Sequence, residues 1–188
     1  GYNKVSSNIK SNTNLVPELN SQGELLIGFD EVRPSQDVNL FFEIKKNENT
    51  NYSFSSDLDW YYSSHNGWKI IEKSNILYDE TINLMKTGVI CFKLNSDLST
   101  KSIIPINKKF YIKACSKNQV DQFSLINKIL VNAVLATQEL KVNSSNDTLL
   151  PNSLQNFKES IQGVVNISQP LSSFGGVKKE SDFNFYKR

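Results

Sequence analysis

The sequence predicts a mainly β chain: an antiparallel β-sandwich followed by a smaller mixed or β region. Three observations lead there. Short runs of β-branched and aromatic residues recur between polar, turn-forming stretches. An Asn-Gly pair, Asn66-Gly67, sits between two such runs. No helical period within those runs is long enough for the crossover that a parallel sheet needs. Of the 188 residues, 38% are hydrophobic and 21% charged, which supplies a core and is too little charge for a disordered polyelectrolyte.

Taken in order, residues 1–22 read as an arm or linker, with Ser6-Ser7-Asn8, Ser11-Asn12-Thr13-Asn14 and Pro17 among few apolar anchors. Gly1 in place of a methionine reads as the remnant of a cleaved tag, and the chain as a piece of a longer protein. Glu24–Phe29 is the first strand, Pro34-Ser35-Gln36-Asp37 a turn, and Val38–Ile44 the second strand. Asn47–Asn51 is a polar loop. Trp60-Tyr61-Tyr62 then runs through Asn66-Gly67 into Trp68, Ile70 and Ile71, and Asn-Gly between two β-forming runs is the strongest short-range hairpin signal. With Asn66-Gly67 as a two-residue loop, His65 pairs with Trp68 and Tyr62 with Ile71. Trp60 and Tyr62 then share one face, and Tyr61, Trp68 and Ile70 the other.

Leu77–Thr87 reads as a loop with one helical turn, closed by Gly88. Val89–Leu94 and Phe110–Cys115 are strands, with Ile90, Phe92 and Leu94 on a common face of one and Phe110, Ile112 and Ala114 on a common face of the other. Between them lies a polar connection interrupted by Ile103-Ile104-Pro105-Ile106. Seven or so short strands at this spacing place a sandwich over residues 23–117. Residues 118–174 form a second, mostly extended region. Its first part, Phe123–Leu140, carries apolar residues at helical spacing, yet Ile129-Leu130-Val131 and Val134-Leu135 also suit a strand. Gly163–Ile167 reads as a strand ended by Gln169-Pro170. Residues 175–188 hold a Gly175-Gly176 joint and the start of a further element.

Little here points to catalysis. The paired acids Asp30-Glu31, Asp57 with Asp59, and Asp79-Glu80 lack any feature that fixes a catalytic separation, and solvated strand edges account for them. His65, the one histidine, sits at a hairpin tip without the cysteine or carboxylate neighbours of a zinc site. No phosphate-binding glycine loop, Cys-x-x-Cys or calcium-loop spacing occurs, so no cofactor and no metal is expected. Cys91 and Cys115 fit reduced structural thiols, with an interstrand disulfide or a reactive thiol as the alternatives. The formal net charge is +2 and the lysines are scattered, so no stripe for tracking a phosphate backbone is present and no nucleic-acid partner is expected. Nor is there an apolar run of about 18 residues that would insert in a membrane.

The aromatic residues Trp60, Tyr61, Tyr62 and Trp68 remain. They fill the core or a protein interface, or they stack on sugar rings as a non-catalytic carbohydrate-binding module would.

A resemblance bears on that choice. Glu24–Phe29, Arg33–Phe42, Trp60-Tyr61-Tyr62, Asn66-Gly67-Trp68, Asp79-Glu80-Thr81 and Lys86–Ile90 begin an ordered set of matching stretches. Asn132–Gln138, Leu150-Pro151-Asn152-Ser153 and Val165–Gly176 continue it, with Glu180 and Phe185–Arg188 after them. The most specific part is Gln169-Pro170-Leu171-Ser172-Ser173-Phe174-Gly175-Gly176. Over residues 24–188 the chain resembles the baseplate J-like proteins of phage-like contractile injection systems. The resemblance implies a structural wedge subunit, not an enzyme, whose partners are other baseplate wedge subunits with sheath or hub proteins beyond them. It implies assembly in the cytoplasm of the producing cell and then residence in the injection particle. It also implies that Asn132–Gln138 is extended, leaving a short helix or turn near Phe123–Lys128 followed by a strand.

Overall fold

The computed structural model describes residues 21–33, 35–45, 57–100, 109–118, 120–137 and 148–173. Expectations for the arm before Ser21, the Asn47–Asn51 loop, Ile103–Ile106, the Gly175-Gly176 joint and the tail lie outside these residues. The chain divides into two compact units, Gly1–Leu135 and Ala136–Arg188.

The first unit is a β-sandwich. One sheet contains β1 (Gly23–Phe29), β7 (Phe110–Ser116), β3 (Leu58–Ser64) and β4 (Gly67–Ile70), in that spatial order. The other contains β5 (Ile76–Asp79), β6 (Gly88–Lys93), β2 (Asp37–Lys45) and β8 (Leu125–Val131). Every neighbouring pair is antiparallel. Alternation explains which residues turn inward. From the first sheet come Phe29, Trp60, Tyr62, Ile112 and Ala114; from the second come Leu40, Phe42, Ile44, Ile90 and Phe92. Trp60 is the keystone, its ring centroid 4.8 Å from that of Phe92 and 6.2 Å from that of Phe42, both tilted. Such tilted pairs contribute beyond the area they bury.

The hairpin forms where the sequence places it, in a different register. Ser64 pairs with Gly67, Ser63 with Trp68 and Tyr61 with Ile70. His65-Asn66 is therefore the turn, and the positive φ of 111° falls on Gly67. A type I turn followed by a glycine bulge explains this, because Asn66 does not take the positive φ that a type I′ loop demands of both residues. The slip moves the pairing by an even number of positions, so the division of faces survives. Trp60 and Tyr62 point inward; Tyr61, Trp68 and Ile70 point outward.

Three other stretches differ from the sequence reading. Within 77–87 no right-handed helical turn forms. Ile76–Asp79 is a strand instead, and Ile82, Asn83 and Leu84 follow with φ of 54°, 55° and 62°, one turn of left-handed backbone. The Asp79 carboxylate explains it, accepting from Thr81 N–H at 2.7 Å, Thr81 Oγ1 at 2.6 Å and Asn83 N–H at 2.9 Å. Thr81 Oγ1 accepts in turn from Leu84 N–H at 2.9 Å, and the turn delivers Leu84 to the core. Gly88 closes the segment for a steric reason: a β-carbon there would lie 2.8 Å from the Glu80 carbonyl carbon.

The second difference is at 123–137. A 3-10 turn at Val120–Gln122 precedes β8, so the strand occupies the stretch where a helix or turn near 123–128 was expected. Residues 133–137 carry no regular structure. The cause is tertiary: β8 supplies a fourth strand along β2, from Leu40 opposite Val131 to Lys45 opposite Leu125. Pairing with an existing sheet overrides helical spacing. The sheet thereby extends to Val131.

In the second unit, residues 148–173 contain no strand or helix. Gly163, expected to begin a strand, sits in a turn at φ 84° that Val164 N–H closes onto the Ile161 carbonyl at 3.1 Å.

Candidate functional site

The candidate chemistry of the first unit resolves mostly into structural contacts. Asp30 pairs with Lys109 and Asp59 with Lys117, each at 2.9 Å. Asp79 caps the left-handed turn, and Glu80 Oε2 accepts from Val89 N–H at 3.2 Å. His65 is exposed at the hairpin tip, its Nδ1 3.0 Å from Ser99 Oγ. Cys91 and Cys115 are free, buried and in different sheets. Burial pushes both thiols up; for Cys91 the Asp37 charge adds to it.

The four aromatic residues separate into two pairs. Trp60 and Tyr62 are each 2% exposed, so neither offers a ring to a partner or a sugar. The Tyr62 hydroxyl reaches the rim of the core, donating to Asp97 Oδ1 at 2.7 Å and accepting from Asn95 Nδ2 at 3.0 Å. Lys69 bonds the other oxygen of Asp97.

Tyr61 and Trp68 belong to the outer face. The ladders align Leu26 with Lys113, Lys113 with Tyr61, and Tyr61 with Ile70, one row across all four strands. Leu26 is 42% and Ile70 51% exposed at the two ends of the row. At its centre Lys113 Nζ lies 5.5 Å from the Tyr61 ring centroid and 4.9 Å from that of Trp68. It also bridges to Glu24 at 2.9 Å. Burial pushes Glu24 up, but the hydrogen bonds from Lys113 and Ser21 and the Lys113 charge outweigh it and hold the carboxyl below its ordinary value. The ammonium takes a face of each ring, where a sugar would otherwise stack. The row is thus a charge-satisfied apolar surface with fixed rings. Sequence alone did not identify Leu26 and Lys113 as part of it, because their neighbours lie on strands distant in the chain.

The second unit gathers the motif stretches. The backbones of Leu149 and Ser173 approach through Ser173 N–H to the Leu149 carbonyl at 2.9 Å, and Leu149 N–H donates to Ser173 Oγ at 2.8 Å. Gln169 is the fastener. Its carbonyl accepts from Asn152 N–H at 2.8 Å, its Oε1 from Leu154 N–H at 3.2 Å, and its Nε2 donates to the Leu171 carbonyl at 2.8 Å. Leu150–Ser153 and the Gln169–Ser173 motif, far apart in sequence, are two sides of one clasp. Around it Leu150, Phe157, Ile161 and Val165 are exposed.

Among the described residues no helix is long and apolar enough to cross a membrane, and no group of three His, Cys, Asp or Glu is placed to hold a metal. No curated protein matches the chain. A family model described as baseplate protein PVC11-like matches residues 7–188, spanning the sandwich and the clasp alike. The chain therefore belongs to the PVC11-like family of baseplate proteins and is a structural component of a contractile injection system.

Proposed function

We propose that the chain is a wedge subunit of the baseplate, of the baseplate J-like kind, and that it binds neighbouring wedge subunits through the outer face of the first sheet. The observation that carries this reading is the row Leu26–Lys113–Tyr61–Ile70 with Trp68 beside it. It is an apolar surface whose one cation is already paired, and burying it against a partner leaves no charge unsatisfied. Sheath or hub proteins are the next partners outward. Assembly takes place in the cytoplasm of the producing cell, and the subunit then stays with the particle. On this reading Gly175-Gly176 would act as a joint between the sandwich-bearing region and the downstream module.

The test is reconstitution with the other baseplate subunits of the same system. Trp68→Ala and Ile70→Asp, both on the outer face, are expected to weaken co-assembly by at least about tenfold, the scale of a central interface residue. Circular dichroism and melting temperature should stay close to the unsubstituted protein. Undiminished assembly in both variants would refute the assignment of this face.

A further inference from the structure

The two sheets have four edge strands, β1, β4, β5 and β8. Natural edges are blunted by shortness, bulges, proline or an outward charge. β4 and β5 are four residues long, and β5 has a register shift between Ile76 and Tyr78. β8 is longer, yet its register against β2 shifts at Glu43/Ile44 and it carries Lys128 at its centre. β1 has none of these devices. All seven of its residues, Gly23 to Phe29, pair with β7 in unbroken register, and it contains no proline and no lysine. Its single charge, Glu24, is bridged to Lys113 of its own sheet. Among the described residues no backbone group hydrogen-bonds to its far side.

We infer that β1 is the self-association edge of this protein, pairing antiparallel with β1 of a second copy so that the first sheet continues across a twofold axis. The sequence of the strand is self-complementary in the register that pairs all seven residues. That register sets Leu26 against Leu26 of the second copy, Leu25 against Ile27, Glu24 against Gly28 and Gly23 against Phe29. An isologous contact needs this property: each residue must suit its twofold mate. No like charges meet. Glu24 faces a glycine, where a β-carbon would come within 2.9 Å of Tyr111 Cε1 and 3.5 Å of Lys109 Cδ. Glu24 of one copy thus faces no charged residue of the opposing strand, and the Lys109 beside that glycine is already paired with Asp30. The same operation on β8 sets Lys128 against Lys128, and like charges directly opposite are unfavourable. Strand addition would satisfy the outward N–H and C=O groups of β1 and bury Leu26 against its mate. The geometry of this contact is independent of the wedge assignment; only its biological setting rests on that reading.

Sedimentation of the full 188-residue chain over a concentration series tests it. The mass should double with concentration, and Leu26→Lys, which sets two lysines face to face at an exposed position, should abolish the doubling. Register is read by oxidation: Leu26→Cys should cross-link the two copies, whereas Glu24→Cys, opposite Gly28, should not. Hydrogen exchange of the unsubstituted protein should slow in β1 amides as concentration rises. A monomer at every concentration, or equal cross-linking of both cysteine variants, overturns the inference. So does protection of β1 by another baseplate subunit and not by a second copy, which would leave the structural baseplate reading standing.

Discussion

Trp60 shows what a single residue decides here. Held between Phe42 and Phe92 and 2% exposed, it joins the two sheets. Trp60→Ala should cost about 3–5 kcal/mol, measured by urea unfolding, since the neighbouring rings cannot close such a void. Tyr62→Phe keeps the ring and loses only the hydroxyl between Asp97 and Asn95, an expected cost of about 1 kcal/mol. Titration gives a second check. Lys69 and then Tyr62, by hydrogen bonding, hold Asp97 below its ordinary 3.8, and Glu24 lies below its ordinary 4.5. A carboxyl depressed by folding adds stability above its unfolded value and loses it as pH falls through the folded one. The melting temperature should therefore drop as the pH is lowered from 4.5 through 3.8 and below, and Asp97→Asn should flatten that drop. The facing of Trp60 and Tyr61 was legible from alternation alone. That Lys113 would sit over Tyr61 and Trp68 was not, because it depends on β7 lying beside β3.

At the scale of elements, the left-handed turn carries the clearest strain. Ile82 is β-branched, 61% exposed and at φ 54°. Left-handed backbone costs such a residue roughly 1–2 kcal/mol, part of which glycine returns as chain entropy. Ile82→Gly should thus stabilise by about 0.5–1 kcal/mol, visible as a raised urea midpoint. The sequence displays this turn poorly, since Asp79-Glu80-Thr81 resembles a helix N-cap signal and only the carboxylate geometry reverses the hand. β8 was hidden for another reason: Leu125–Val131 has both periods, and β2 chooses between them by offering an edge. The clasp in the second unit was visible as motifs but not as one object, because pairing of Gln169 with Asn152 and Leu154 is a long-range event.

The whole molecule divides unevenly. Among the described residues all eight strands and the core cluster belong to the first unit, whereas those of the second have exposed apolar residues and a hydrogen-bonded clasp. A chain ending at Leu135 should therefore keep a cooperative unfolding transition and the β-sheet circular dichroism signal. Loss of both would show that residues beyond Leu135 are needed to complete the sandwich. Fold class and the strands up to β7, β5 excepted, were readable because each obeys a local period. Sheet membership was not, since β1 with β7 and β2 with β8 join segments roughly ninety residues apart.

That topology has a consequence in time. β7 lies between β1 and β3, so among the described residues β1 has no neighbouring strand until Ser116 has been made. At about 5–20 residues per second, synthesis from Phe29 to Ser116 lasts roughly 4–17 s. Throughout that interval β1 waits for the strand that it pairs with in the folded sheet, and pairing so distant in sequence is slow to close. Where several ribosomes follow one another on a message, the self-pairing inferred for β1 would have its first opportunity between neighbouring nascent chains.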